Sequence, residues 1–296
     1  MKHFFYLVYT VVSFSFFAQD SSEKNFLTGS NYLFKESQPA IFIFRDSSNL
    51  RVKPSTDSKI VNNLPIGSRV YLHSKSKHTL TLNGIKSAWY KVETQKGNGW
   101  IWGGCLTQQV QRSAANPDLY FLFSIKGCLI DSIDQRTEKV YQLKAVENNV
   151  ELDCVTFTNN ALYLGQLFNH NNAGLKNLDH LLTIDLPCIG GCGCTTGTKY
   201  FFFYNNAFKH TETLFGTADA EYSEYEEFIF PSDLSGEKFF VIKKSNFVDW
   251  SNEENINESD AIKRIYTQSY YIWNGESLVP SLSRKKTVEN YKMDDF

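Results

Sequence analysis

The cysteines are the residues of this 296-residue chain most able to do chemistry, and three of the six crowd into Cys188-Ile-Gly-Gly-Cys192-Gly-Cys194. Three thiolates with His180 as a distant fourth ligand would suit zinc, but the spacing lacks the paired C-x-x-C units of common zinc sites. Read as a phosphate loop, the glycines running to Lys199 miss the required Gly-Lys-Ser/Thr register. A tight loop pinned by disulfides is the expectation, with no metal and no cofactor. Thiols one residue apart pair poorly, so partners such as Cys128 or Cys154 are needed, and Cys105 completes the even set. The pairing itself stays open.

Asp153-Cys154-Val155 offers a nucleophile, with His170 or His180 as base, for a cysteine peptidase. The small residue and serine that should follow the cysteine are absent. Val155 and Phe157 instead place Cys154 in the alternation of a core strand. No serine elbow, His-Glu-x-x-His helix or calcium-loop pattern occurs. The acids Glu221, Glu224, Glu226 and Glu227, and Glu253, Glu254, Glu258 and Asp260, read as solvated loops rather than paired catalytic carboxylates. A protein that binds is therefore expected over one that catalyses. The alternative is a hydrolase with an unrecognised site in the C-terminal part.

Residues suited to holding a ligand cluster earlier in the chain. Trp89, Tyr90, Trp100, Trp102 and Tyr71 can stack, and Arg51 and Lys53 can meet a negative group. Alternation must bury some of these aromatics in any small core. Residues 40–108 hold ten Lys or Arg against three acids, a net of +7, whereas residues 109–296 carry −9 within an overall −2. Such a field draws an anionic polymer or surface and weakens with salt. It would equally suit docking onto the acidic C-terminal part.

Short strands must position these residues. Ile41 to Phe44 is an apolar run, and Leu50 and Val52 alternate with Arg51. Lys53-Pro-Ser-Thr-Asp-Ser58 breaks the strand, and Leu64-Pro-Ile-Gly67 turns the chain again. Val70 and Leu72 alternate with Arg69 and Tyr71. Tyr90 and Val92 alternate with Trp89, Lys91 and Glu93, and Gly97-Asn-Gly99 turns into Trp100-Ile-Trp102. Closing such strands into a small barrel removes exposed edges.

The spaced pattern Asn49–Ser58, Leu64-Pro-Ile-Gly67, Trp89-Tyr-Lys-Val92 and Gly99-Trp-Ile101 resembles the bacterial SH3-like domain family. The resemblance implies a small β-barrel in an exported bacterial protein that recognises wall peptides or similar ligands; it does not itself imply catalysis. Such modules commonly sit beside cell-wall hydrolases, so the alternative hydrolase would act on cell-wall or surface polymer. A long polar insert between Leu72 and Ala88, with Asn83-Gly84 set for a two-residue turn, departs from the pattern and could cover a groove.

Fifteen per cent aromatic residues and scarce helix signals make the whole chain mostly β. The expected fold is the SH3-like barrel followed by a larger antiparallel β domain, a sheet or sandwich. Tyr141–Val146, Tyr200–Tyr204 and Tyr270–Trp273 each run into an Asn-Asn or Asn-Gly turn, which signals hairpins. The best helix candidate is Ala173 to Leu182. Residues 1–18 read as an export signal, with Lys2 before an apolar run and a cut near Ala18, although Phe16 is large for that site. The expected organisation is this signal, an N-terminal linker over 19–39, the barrel over 40–108, a linker over 109–117 and the β domain over 118–296. The resemblance and the +7 charge, with export to the periplasm or beyond, imply a cell-wall peptide, an anionic envelope polymer or an envelope protein as partner. Export argues against nucleic acid, and no transmembrane segment beyond the signal is expected.

Overall fold

Leu50, Val70, Leu72, Ala88, Tyr90, Val92 and Ile101 occupy alternate positions of short extended segments, so one face must close around them. The computed structural model describes residues 41–130, 137–159, 165–187, 193–249 and 263–289. The expected signal and N-terminal linker, Ala40, Cys188, Cys192 and the acids Glu253 to Asp260 lie outside the described residues, as does the side chain of Cys194.

The chain is nearly all β. Strands β1 (Ile41–Phe42), β2 (Ser48–Arg51), β3 (Ile60–Leu64), β4 (Arg69–Leu82), β5 (Ile85–Thr94) and β6 (Gly97–Trp102) form a six-stranded sheet ordered β1-β4-β5-β6-β2-β3. It curls around the apolar cluster named above into a half-barrel. Strands β7 (Gln109–Arg112), β8 (Leu119–Ile130), β9 (Thr137–Glu147) and β10 (Val150–Asn159) form a second, four-stranded sheet. The third sheet is an eight-stranded antiparallel meander. Its strands are β11 (Leu167–Asn169), β12 (His180–Leu186), β13 (Cys194–Tyr204), β14 (Ala207–Ala218), β15 (Tyr222–Ile229), β16 (Val241–Asp249), β17 (Lys263–Trp273) and β18 (Leu278–Glu289). Among the described residues no helix is long and apolar enough to cross a membrane.

The four-stranded sheet is the middle layer. One face sends Phe121, Phe123, Tyr141 and Leu143 against Leu182, Ile184, Phe201 and Phe203 of the large sheet. Its other face sends Leu122 and Val146 against Phe42, Phe44 and Ile66 of the first sheet. Lys144 is buried in that second contact; its Nζ lies 2.7 Å from Glu151 Oε2 and 5.1 Å from the centroid of the Phe44 ring. The large sheet has a further apolar face, where Tyr200, Phe202, Phe228 and Trp273 pack with Leu175 and Leu178.

Three differences from the sequence expectation have local causes. Residues 109–117 do not run free as a linker. Gln109–Arg112 is a strand, and its glutamines hold the third sheet: Gln109 Nε2 donates to Gly165 O (2.8 Å) and Gln111 Nε2 to Leu167 O (2.7 Å). Ala173 to Leu182 is no helix. Asn171, Ala173 and Asn177 take positive φ, making turns before β12. The polar insert after Leu72 covers Trp102 on the outer face rather than a groove. It lengthens the β4–β5 hairpin, whose tip, Asn83 (φ 53°) and Gly84 (φ 75°), docks on the middle sheet. There Cys128 N–H donates to Asn83 O at 3.0 Å, and a Cβ on Gly84 would stand 2.9 Å from Cys128 Cβ. The three expected Asn turns are all present, at Asn148–Asn149, Asn205–Asn206 and Asn274–Gly275.

Candidate functional site

Alternation sorts the candidate aromatics by face. Tyr90 points inward and is buried in the half-barrel core. Trp89 and Trp102 point outward, yet both are only 4% exposed, because the middle sheet and the β4–β5 hairpin cover that end of the outer face. The Trp102 indole N–H is spent internally, on Leu80 O (3.0 Å) and Ser87 O (3.2 Å). These three therefore build the structure instead of facing a ligand. The covering layer comes from residues far away in sequence, so no local pattern announced it.

Trp100 is different. It sits at the margin of the shared core and is only partly buried. Register places it between two cations, since Arg51 is its Cα partner on β2 and Lys91 its Cα partner on β5. Arg51 Nη1 donates to Ser58 O at 2.7 Å, which ties the guanidinium to the β2–β3 turn. Lys53 lies exposed in that turn, where its backbone N–H donates to Ser58 Oγ (2.8 Å). Tyr71 is 51% exposed on the same outer face, with the Arg69 guanidinium 5.0 Å from its ring centroid. The face thus carries a partly buried indole, a phenol ring and several cations, a surface able to stack on a ligand and attract negative charge.

A second concave feature opens at the end of this face. A cleft of about 480 Å³ lies between the first and middle sheets. Its barrel wall comprises Leu64, Pro65, Gly67, Ser68 and Arg69 with the β5–β6 turn residues Thr94, Gln95 and Lys96. Asp118, Tyr120, Val146, Asn148 and Asn149 form the opposite wall, above Phe42. The walls are fastened together. Asn149 Nδ2 donates to Ile66 O at 2.8 Å, and Gly67, at φ 74°, leaves only 2.9 Å between an added Cβ and Val146 Cγ1.

Comparison with known families names the module. Residues 46–107 match the bacterial SH3 domain family. No curated protein and no solved structure matches the chain. The bacterial SH3 segment accordingly holds Arg51, Lys53, Tyr71, Lys91 and Trp100, and one wall of the cleft. Asp118, Tyr120 and the Asn148–Asn149 turn lie beyond it.

The layers meet through apolar clusters and hydrogen bonds, and among the described residues Lys53, Lys59, Lys75, Lys77 and Lys91 are exposed and form no ion pair with an acid. Part of the +7 field therefore faces solvent.

The described cysteines do not form the expected bridges. Cys105, Cys128 and Cys154 carry free thiols, each half-buried among apolar neighbours in a different strand or turn. Burial raises the pKa of all three, which disfavours the thiolate. At Cys154 the nearby Glu151 carboxylate adds to that rise. Its neighbour Asp153 is committed to structure, accepting from Phe208 N–H (2.7 Å) and Cys154 N–H (2.8 Å). The two histidines considered as a base bond elsewhere. His170 Nε2 meets Thr183 Oγ1 at 2.8 Å, and His180 Nδ1 meets Asn169 Oδ1 at 3.2 Å. Cys154 therefore sits in surroundings that suppress a nucleophile, the reverse of what the peptidase reading requires.

Proposed function

We propose that the protein is an exported, non-catalytic binding protein of the bacterial envelope, and that its SH3 segment recognises a cell-wall peptide or another anionic envelope polymer. The match of residues 46–107 to the bacterial SH3 domain carries the reading, since it points to a cell-wall-related binding module. The outer face supports it: Trp100 between Arg51 and Lys91 offers stacking flanked by positive charge. The basic start and apolar run of residues 1–18 support export, with a cut near Ala18. In this reading residues 40–108 are the recognition unit, and the sheets beyond are a platform that holds it and provides a second surface.

The test is sedimentation of the chain from Gln19 onward with isolated cell wall at low salt. The protein is expected in the pellet and the supernatant free of wall fragments. Protein left in solution would remove the wall reading. Soluble fragments accumulating with time would replace it with hydrolysis.

A further inference from the structure

The cleft between the first and middle sheets carries charges of opposite sign on opposite walls. Arg69 and Lys96 stand on the SH3 wall and Asp118 on the wall contributed by the start of β8. All three are exposed, so their charges are available to a ligand. Among the described residues the Asp118 carboxylate has no hydrogen bond or ion pair; only its backbone is fixed, by donation to Asn116 Oδ1 at 3.1 Å. Among the described residues the Arg69 guanidinium is held only by the Tyr71 ring, and Lys96 Nζ makes one long contact, 3.4 Å to Asn63 O. Opposite charges that could neutralise one another in a collapsed cleft are instead kept apart.

The fastening of the walls explains why they stay apart. The Asn148–Asn149 turn needs positive φ at both residues (49° and 64°), and it is locked to the SH3 turn through Asn149 and the tight Gly67 contact. The floor is aromatic and also fixed. The Phe42 and Tyr120 rings lie 4.8 Å apart, and the Arg112 guanidinium stands 5.7 Å from the Tyr120 centroid while its Nε donates to Pro117 O. Thr94, Gln95, Ser68 and Asn148 provide neutral hydrogen-bonding groups between the charged ends.

We infer that this cleft binds a short zwitterionic peptide, its carboxylate at Arg69 and Lys96 and its free ammonium at Asp118. A simple anion would meet the repulsion of Asp118, and a neutral sugar would leave all three charges unanswered. The volume lies within the range of about 300–1,000 Å³ that small-ligand pockets occupy. The site is composite: the bacterial SH3 segment supplies the cations, and residues outside it supply the anion and Tyr120. It shares Arg69 with the outer face but none of Arg51, Trp100 and Lys91, and it does not depend on wall binding.

Isothermal titration of the chain with tri-alanine, N-acetyl-tri-alanine and tri-alanine amide tests it. Tri-alanine is expected to bind, and blocking either end to weaken it about tenfold, the scale of a lost hydrogen bond to a charged group. Asp118→Asn is expected to weaken tri-alanine by a similar factor and not to weaken the N-acetylated peptide, which is freed from the repulsion of that carboxylate. Arg69→Gln combined with Lys96→Gln should do the converse for the amide. Absence of tri-alanine binding at millimolar concentrations, or equal affinity for free and blocked peptides, overturns the inference. Neither result bears on sedimentation with cell wall, so the two readings fail separately.

Discussion

Phe121→Ala tests whether the SH3 segment and the sheets beyond it unfold as one body. Phe121 is fully buried in the middle sheet, with its ring 5.2 Å from Phe203, 4.9 Å from His180 and 6.4 Å from Phe208. Truncating a buried phenylalanine costs about 3–5 kcal/mol, because the transfer energy and the residual cavity both count. A urea slope of about 3 kcal/mol/M, at the upper end for small proteins, converts this to a midpoint lowered by about 1–1.7 M. The layers share the cluster that contains Trp89 and Trp102 as well as Phe121 and Phe203, so the loss should be felt on both sides. Fluorine NMR of 5-fluorotryptophan-labelled protein reads the sides separately. Trp89 and Trp102 report on the SH3 segment, and Trp273, stacked 5.0 Å from Phe202, reports on the far face of the large sheet. All three resonances are expected to share one midpoint and to move together. A Trp89 and Trp102 transition that stays in place while the Trp273 transition shifts would refute the shared core.

Gly67→Ala should destabilise by about 1–3 kcal/mol, because it strains a positive-φ site and pushes a Cβ towards Val146; thermal melting would show it, and an unchanged melting temperature would contradict the fastening of the cleft. His180 is buried beside Phe121 and Phe203, and burial lowers its pKa from the usual 6.5. The unfolded chain then binds more protons, so stability held above about pH 6.5 is lost as pH falls below it. Urea midpoints at pH 7.5 and about 5.8 should show that loss, and His180→Phe should remove part of it; a midpoint that rises on acidification would contradict the sign. Lys199 is half-buried between Phe157 and Phe201, 5.3 and 6.0 Å from their centroids, and its Nζ donates to Thr213 Oγ1 and pairs with no acid among the described residues. Desolvation lowers its pKa, so Lys199→Met should be neutral or stabilising by about 1 kcal/mol in chemical denaturation, and a large loss would show that the cation is needed.

Local signals in the sequence reached as far as local structure. The turns at Asn83, Asn148, Asn205 and Asn274–Gly275, the alternation of the SH3 strands and the β4–β5 hairpin were readable because each depends on a few neighbouring residues. What covers an outward face is decided by distant chain. Trp89 and Trp100 look alike in the sequence pattern, yet the middle sheet buries the first and leaves the second at its margin. Gln109 and Gln111 resemble linker residues until the Gly165 and Leu167 carbonyls arrive as partners. Positive φ at Ala173 was equally hidden, since nothing about alanine signals a turn. The cleft joins Arg69 to Asp118 across the junction of two sheets, a pairing that becomes visible only once Val146 has docked on Gly67.

The central claim is that the outward SH3 face binds an anionic envelope ligand. Sedimentation of the chain from Gln19 with isolated cell wall, at about 50 mM and about 500 mM salt, tests it most directly when wild type is compared with Lys91→Glu and Trp100→Ala. Lys91 is exposed on that face, and Trp100 is partly buried beside it. Wild type should pellet at low salt and be released at high salt, Lys91→Glu should bind about tenfold more weakly, and Trp100→Ala should lose affinity without losing the salt dependence. Wall binding that ignores both salt and charge reversal, or no wall binding by any form, would contradict the account.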